Sequence, residues 1–456
     1  MKFFSKIGFI YFILLILLLL MFKSYDLMLR KHEKNRQELF KTNDRIQNLY
    51  DNKGINEQAL SILSESLSGK KVDDNSYIGN EHSLNIKSFY IPYVINANYD
   101  GSLAYNANSI LKSKKPSYIE KINDKIFIFF WSGKIIYLDE NIEIFDYENT
   151  DNLNFVELPS NLNGFKAGEH LDEVVMQTNY WNGIKDAIYI KNKIYLSYVK
   201  EVEDNCWNTS VLVADLNFEY LNFEDFFTYS DCLKNENEFQ GVQSGGKLLK
   251  LSETEMLLSI GDYRYRTLAQ NKKSIFGKII KINMESGEYQ IVSMGHRNPQ
   301  GMTLINDNLL LATEHGPKRG DEINKISLDI PFEEQNYGWP IASYGEHYDG
   351  KFRPEAPLKK SHRDNGFLEP IHFFDKNYHG VSSIQNIEEN NNFFVASLKG
   401  GNLYIFSAEN NNYNDIQIKE TFFLNNRIRD ILKINKNLYL LTLEGTLPSL
   451  SFLKFL

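Results

Sequence analysis

A short apolar strand, a polar turn built from Asn, Asp, Glu or Lys, and a second strand closing on a small or charged residue recur six times along this chain. The copies read IEKINDKIFIFFWSG (119–133), IKDAIYIKNKIYLSYV (184–199), GKLLKLSETEMLLSIGD (246–262), GMTLINDNLLLATEHG (301–316), VSSIQNIEENNNFFVASLKG (381–400) and IRDILKINKNLYLLTLEG (428–445). One such hairpin cannot bury both of its faces, so copies must pack against one another, and six of them predict an all-β, six-bladed β-propeller. The uneven spacing places insertions between some blades. A β-sandwich is the weaker alternative, since it calls for shorter, more even strand spacing and no repeated hairpin.

In a propeller the strand ends and the loops after them converge on the central channel, where a site is expected. Four second strands end in LSIGD, ATEHG, ASLKG and LTLEG, offering Asp262, Glu314, Lys399 and Glu444. Any one of these alone reads better as a solvated turn residue. Net charge of −9, with no Lys/Arg stripe interleaved with aromatics in the folded part, argues against nucleic acid as a partner. Cys206 and Cys232 are too few for a zinc cluster and leave two readings open, one bridge outside the cytoplasm or two unpaired thiols.

Ahead of the body, IGFIYFILLILLLLMF (7–22) is unbroken apolar sequence preceded by Lys2 and Lys6. As a helix it spans about 24 Å, which flanking lysines extend toward the roughly 30 Å bilayer core. The following KSYDLMLRKHEK lacks a small-residue cleavage pattern. The reading is a transmembrane anchor over 1–23, a helical or disordered stalk over 24–80 and the propeller over 81–456. Lys23, Arg30, Lys31, Lys34 and Arg36 after the helix favour a cytoplasmic body by the positive-inside rule.

Five motifs follow in order: GHRNPQG (295–301), TEHGPKRGDEIN (313–324), NYGWP (336–340), ASLKGGNLYIF (396–406) and NNRIRD (425–430). Together they resemble the glucose/sorbosone dehydrogenase family, the pyrroloquinoline quinone (PQQ)-dependent sugar dehydrogenases, which are six-bladed propellers. The resemblance implies PQQ as cofactor, a flat tricarboxylated quinone that needs several cations and a metal polarising its carbonyl. It assigns Arg297, Asn298, Lys399, Arg427 and Arg429 to the cofactor, with His315 and Asp321 beside it. Ca²⁺ is expected on the main-chain carbonyls of Gly316 and Pro317.

The family's catalytic histidine falls on Gln243, or on Val242 if the register slips by one, within FQGVQSGGKLLKL. Gln243 and Arg297 thus hold the expected catalytic positions, yet glutamine cannot accept a proton near neutral pH. Asp262, His315 and His379 are the alternative bases. The implied function is a membrane-anchored, PQQ- and calcium-dependent oxidoreductase acting on a hydroxyl of an aldose or related alcohol, with the electron acceptor open. The alternative is a non-catalytic propeller that binds PQQ, a sugar or a partner protein. A calcium-dependent lactone hydrolase fits less well, because such a site has no use for cations around a flat slot. The family works outside the cytoplasm. With a Cys206–Cys232 bridge, which would add roughly 3 kcal/mol, this sets the expected body on the periplasmic side of the inner membrane, against the charge signal.

Overall fold

Each of the six hairpins forms the first two strands of a separate antiparallel sheet. The computed structural model describes residues 67–92, 116–162 and 183–456, apart from 237, 376–378, 388–390, 411–412, 425 and 446–447. The expected anchor and the stalk as far as residue 66 lie outside the described residues. Among the described residues no helix is long and apolar enough to cross a membrane.

Five sheets run in chain order, over residues 117–157, 184–227, 245–294, 299–373 and 381–423. The sixth takes the C-terminal strands Arg427–Lys433, Leu438–Glu444 and Ser449–Phe455, and closes on the N-terminal strands Ser83–Tyr90 and Lys71–Ile78. The first strand of each hairpin lies innermost and touches the first strand of the next, and Arg427–Lys433 returns to Ser117–Ile122 to complete the ring. The architecture is the expected all-β six-bladed propeller.

Second strands such as KIFIFF, EMLLSI and NFFVAS are buried almost without interruption. A blade is covered on both faces by its neighbours, so its central strands need apolar residues at every position rather than at alternate ones. Phe127 and Phe129 of the first blade thus share one core with Leu196 and Tyr198 of the second. The turns follow local chemistry as well: Lys191 and Asn192 both take positive φ between Ile190 and Lys193, the conformation of a two-residue hairpin.

The N-terminal edge differs from the sequence expectation. Lys71–Ile78, within the stretch assigned to the stalk, is the outermost strand of the sixth blade, paired with Ser83–Tyr90 from Lys71↔Phe89 to Ile78↔Ser83. Its sequence KVDDNSYI is largely exposed. An edge strand with charged residues carries no hydrophobic pattern for sequence reading to detect.

Candidate active site

A cavity of about 640 Å³ opens where the blade ends converge, and it gathers all ten residues expected at the cofactor, calcium and catalytic positions, while Asp262, Glu314, Glu444 and His379 lie outside its lining. Seven lysine and arginine side chains line it, Lys185, Arg264, Arg297, Arg319, Lys399, Arg427 and Arg429, against one carboxylate, Asp321. In a chain of net charge −9 this concentration of positive charge marks a site for an anion.

Arg427 and Arg429 occupy alternate positions on one inner strand and so reach the same side. Both grip Glu444, which stands opposite Arg427 on the paired strand: Arg427 Nε donates to Oε2 at 2.6 Å and Arg429 Nε to Oε1 at 2.5 Å. Burial alone would push the Glu444 carboxyl up, but Arg429 and Arg427 outweigh it and hold the group below the usual range. Two guanidiniums on one carboxylate leave a net positive charge facing the cavity. Arg429 is tied further to Gln300 Oε1 at 3.3 Å. Of the four blade-end residues, Asp262, Glu314 and Glu444 are buried rather than solvated, and only Lys399 is exposed.

GHRNPQG supplies the next wall. The Arg297 backbone N–H donates to the buried Glu314 carboxylate, which also binds His296 at 2.8 Å. The Arg297 guanidinium donates to the His315 carbonyl at 2.7 Å and lies 5.5 Å over the Trp339 ring. Asn298 Oδ1 accepts from Gly245 N at 3.0 Å and from Gln300 Nε2 at 3.1 Å. Its amide nitrogen approaches His315 Nδ1 at 3.4 Å, which leaves the ring hydrogen on Nε2. That Nε2 is buried without a hydrogen bond of good geometry, its one weak contact being with the Gly380 backbone. Burial, then Arg429, Arg297 and Arg427, depress the ring to about 3, so His315 is a neutral imidazole offering a hydrogen to whatever fills the cavity.

Across the turn from His315 to Asp321, Asp321 accepts from Gly316 N at 3.1 Å and from Gly380 N at 2.6 Å. Both oxygens are thereby engaged in joining two loops, and burial pushes the carboxyl up to about 6. A Cβ on Gly316 would sit 1.6 Å from the Gly320 carbonyl oxygen, so only glycine fits this turn. The Pro317 carbonyl accepts from Gly320 N at 3.0 Å. Among the described residues no cluster of three or more His, Cys, Asp or Glu could hold a metal. A cation at this turn would therefore depend on main-chain carbonyls and on ligand oxygens.

The position expected for the base is occupied differently. Gln243 is buried at the end of a short turn, Gly241–Gln243, and with its amide assigned in the orientation that pairs both of its ends, the nitrogen donates to Asp262 Oδ1 at 3.1 Å. Its amide oxygen accepts from Arg264 Nε and from Arg297, each at 3.1 Å. Its neighbour Val242 also lines the cavity. Neither side chain can take a proton. Asp262 is fully buried and bound by Trp339 Nε1 at 2.7 Å and Arg264 N at 2.8 Å. His379 pairs with the Tyr404 hydroxyl at 2.6 Å and is not among the cavity-lining residues, although Gly380 is.

Sequence reading missed Arg264, Trp339 and Lys185. Arg264 follows the strand end at Asp262 and signals itself only by that proximity, whereas Trp339 lies inside the motif NYGWP without having been given a role. Lys185 sits in IKDAIYI, where nothing sets it apart.

Comparison with known proteins adds the following. A model of the family described as Glucose / Sorbosone dehydrogenase matches residues 182–447. The protein named Aldose sugar dehydrogenase YliI of Escherichia coli (strain K12) is 30% identical over 239 residues, which is 47% of this chain and 61% of that protein's length. Among solved structures, the apo form of the soluble aldose sugar dehydrogenase from Escherichia coli superposes with a TM-score of 0.57 at 21% identity, covering 75% of this chain and 96% of that one. The PQQ-bound aldose sugar dehydrogenase from Streptomyces coelicolor gives 0.54 at 17% identity, covering 75% and 94%. At such identities the two structures establish a common fold.

Proposed function

The chain belongs to the glucose/sorbosone dehydrogenase family, and we propose that it is a PQQ- and calcium-dependent oxidoreductase acting on a hydroxyl of an aldose or related alcohol. The observation that carries this reading is the lining of seven lysine and arginine side chains and one carboxylate around a cavity of about 640 Å³. That lining suits a flat, multiply carboxylated anion, because charge-assisted contacts to carboxylates are the strong ones. The buried Nε2 of His315, without a hydrogen bond of good geometry, fits the same ligand, since it offers one hydrogen to a carbonyl oxygen.

In this reading Arg297, Lys399, Arg427 and Arg429 would receive the carboxylates, Asn298 and His315 would orient the ring system, and the Gly316 and Pro317 carbonyls would supply oxygen ligands to a calcium ion. When bound, PQQ supplies an ortho-quinone able to accept a hydride from a carbinol carbon. Gln243 braces Arg297 and Arg264 against Asp262, which fixes the guanidinium that faces the cofactor. The Trp339 ring lies over the Arg297 guanidinium.

Neither Gln243 nor Val242 can accept the substrate proton, and this favours a second reading in which the propeller binds PQQ or a sugar without turnover. The proposed location is the outer face of the inner membrane, with residues 1–23 as anchor. The Cys206–Cys232 disulfide, Cα atoms 5.3 Å apart, supports a compartment outside the cytoplasm. The full-length protein is titrated with PQQ and Ca²⁺ by calorimetry, then assayed for dye reduction with a panel of aldoses. Binding with turnover supports the oxidoreductase, binding alone supports the second reading, and no binding removes both cofactor readings.

A further inference from the structure

Three lysines stand on or near the inner strands, Lys278 buried and Lys185 and Lys247 half-buried, and two have an evident reason to be there. Lys247 bonds to Asp186 at 3.1 Å and to Asp430 at 3.4 Å. Lys278 donates to the carbonyls of Leu268, Ala269 and Phe276, each at 2.9 Å. Lys185 stands on the inner strand Ile184–Ile190 and lines the cavity, yet among the described residues its amine has no hydrogen-bond or ion-pair partner.

The course of its side chain is fixed by the neighbouring blade. A Cβ on Gly246 would lie 2.3 Å from Lys185 Cβ and 2.7 Å from Cγ, so the lysine stem runs over a glycine that has to stay bare. The Gly246 carbonyl is itself held by the Ser197 hydroxyl. Charged groups on the surrounding elements offer no anion. Asp186, next in its own strand, is aimed at Lys247 and the Leu248 N–H. From the strand Arg427–Lys433 come Arg427 and Arg429, with Glu444 already bound to both and Asp430 turned to Lys247. From Ser117–Ile122 comes the uncharged Tyr118, with Glu120 farther along the same strand, and across the cavity lies neutral His315.

We propose that Lys185 is a further anion-binding residue of this cavity, receiving a ligand carboxylate beside Arg429 and taking up a proton as that carboxylate arrives. The inference rests on the reading that the cavity holds PQQ. Burial first, and Arg429 second, depress the Lys185 ammonium to about 7 in the ligand-free protein. A bound carboxylate supplies the opposite charge that offsets both effects and raises the ammonium pKa, so affinity declines as pH rises from about 7 toward the higher value in the complex. The stem runs over Gly246 to the cavity lining. Arg427 and Arg429, sharing one carboxylate, leave room for a third cation only when an anion joins them.

The test uses the full-length protein and PQQ with Ca²⁺, titrated calorimetrically between pH 6 and pH 9 in two buffers of different ionisation enthalpy. Wild type is expected to lose up to about tenfold in affinity per pH unit above about 7 and to take up close to one proton at pH 8. Asp186, Glu120 and Lys278 also titrate in this range, so the difference between variants isolates Lys185. Lys185→Met keeps the stem, and it should bind at least tenfold more weakly at pH 6 with the proton uptake gone. Lys185→Arg should bind with wild-type strength or better and no pH slope. Wild-type pH slope and proton count persisting in both variants would overturn the proposal while leaving the cofactor reading intact. Wild type failing to bind PQQ at every pH would overturn the cofactor reading, and this inference with it.

Discussion

Replacing Glu444 with Gln tests whether the arginine pair is set by one buried carboxylate. The side chain is 1% exposed, while Arg429 is 12% and Arg427 24% exposed. Removing one partner of a buried ion pair costs about 3–5 kcal/mol, because the remaining charge keeps its desolvation penalty. Here two cations would be left, although the more exposed Arg427 recovers part of its hydration. For about 350 residues at roughly 2 cal/mol/K each, unfolding entropy near Tm is about 0.7 kcal/mol/K, so the loss corresponds to a Tm drop of about 4–7 °C. The folded-state pKa of Glu444 is depressed, so its contribution is full above the unfolded carboxylate value, near 4.3, and fades as pH falls through the lower folded value. The gap between wild type and Glu444→Gln should therefore be constant from pH 5 to pH 8 and narrow below about 4. Thermal unfolding followed by circular dichroism across that range reads both features. A variant melting within 1 °C of wild type at pH 7, with unchanged spectrum, would refute the reasoning.

Arg429→Ala should weaken PQQ binding more than Arg427→Ala, by about tenfold or more, because Arg429 is the more buried and also holds Gln300; equal losses in calorimetry would argue against that ranking. Val242→His should raise aldose turnover within the 10²- to 10⁴-fold range of a general base, with an inflection near the imidazole pKa of about 6.5, whereas Gln243→His should lower cofactor affinity by releasing Arg297 and Arg264. Steady-state kinetics and binding of the two variants check this, and the reverse order would make Gln243 the base position. Cys206→Ser with Cys232→Ser should lower stability by about 3 kcal/mol for a sequence separation of 26, read as a denaturant midpoint, and no change would mean that the bridge does not constrain the unfolded chain. A reporter active only after export, fused after Leu456, should be active if the body lies outside the cytoplasm, and activity from a cytoplasmic reporter instead would reverse the proposed orientation.

Six hairpins were legible in the sequence because a blade strand covered on both faces must be apolar throughout, as KIFIFF and NFFVAS are, and a run of that kind between polar turns has few other uses. The cation positions of the cavity were legible too, since Arg427, Arg429, Arg297 and Lys399 stand in motifs at strand ends, where the fold brings loops together. Local sequence could not reveal what depends on neighbours distant in the chain. Lys71–Ile78 joins the propeller through backbone pairing with Ser83–Tyr90, and an exposed edge carries no apolar pattern. Glu444 looks like any turn carboxylate until the register sets it opposite Arg427 and burial removes the water that would have screened it. Lys185 resembles a surface lysine until the adjoining blade lays Gly246 beneath its stem and leaves its amine facing a cavity full of cations. Periodicity is a property of the chain and can be read along it. Burial and pairing of charge are properties of the ring, and they exist only once the last blade has closed on the first.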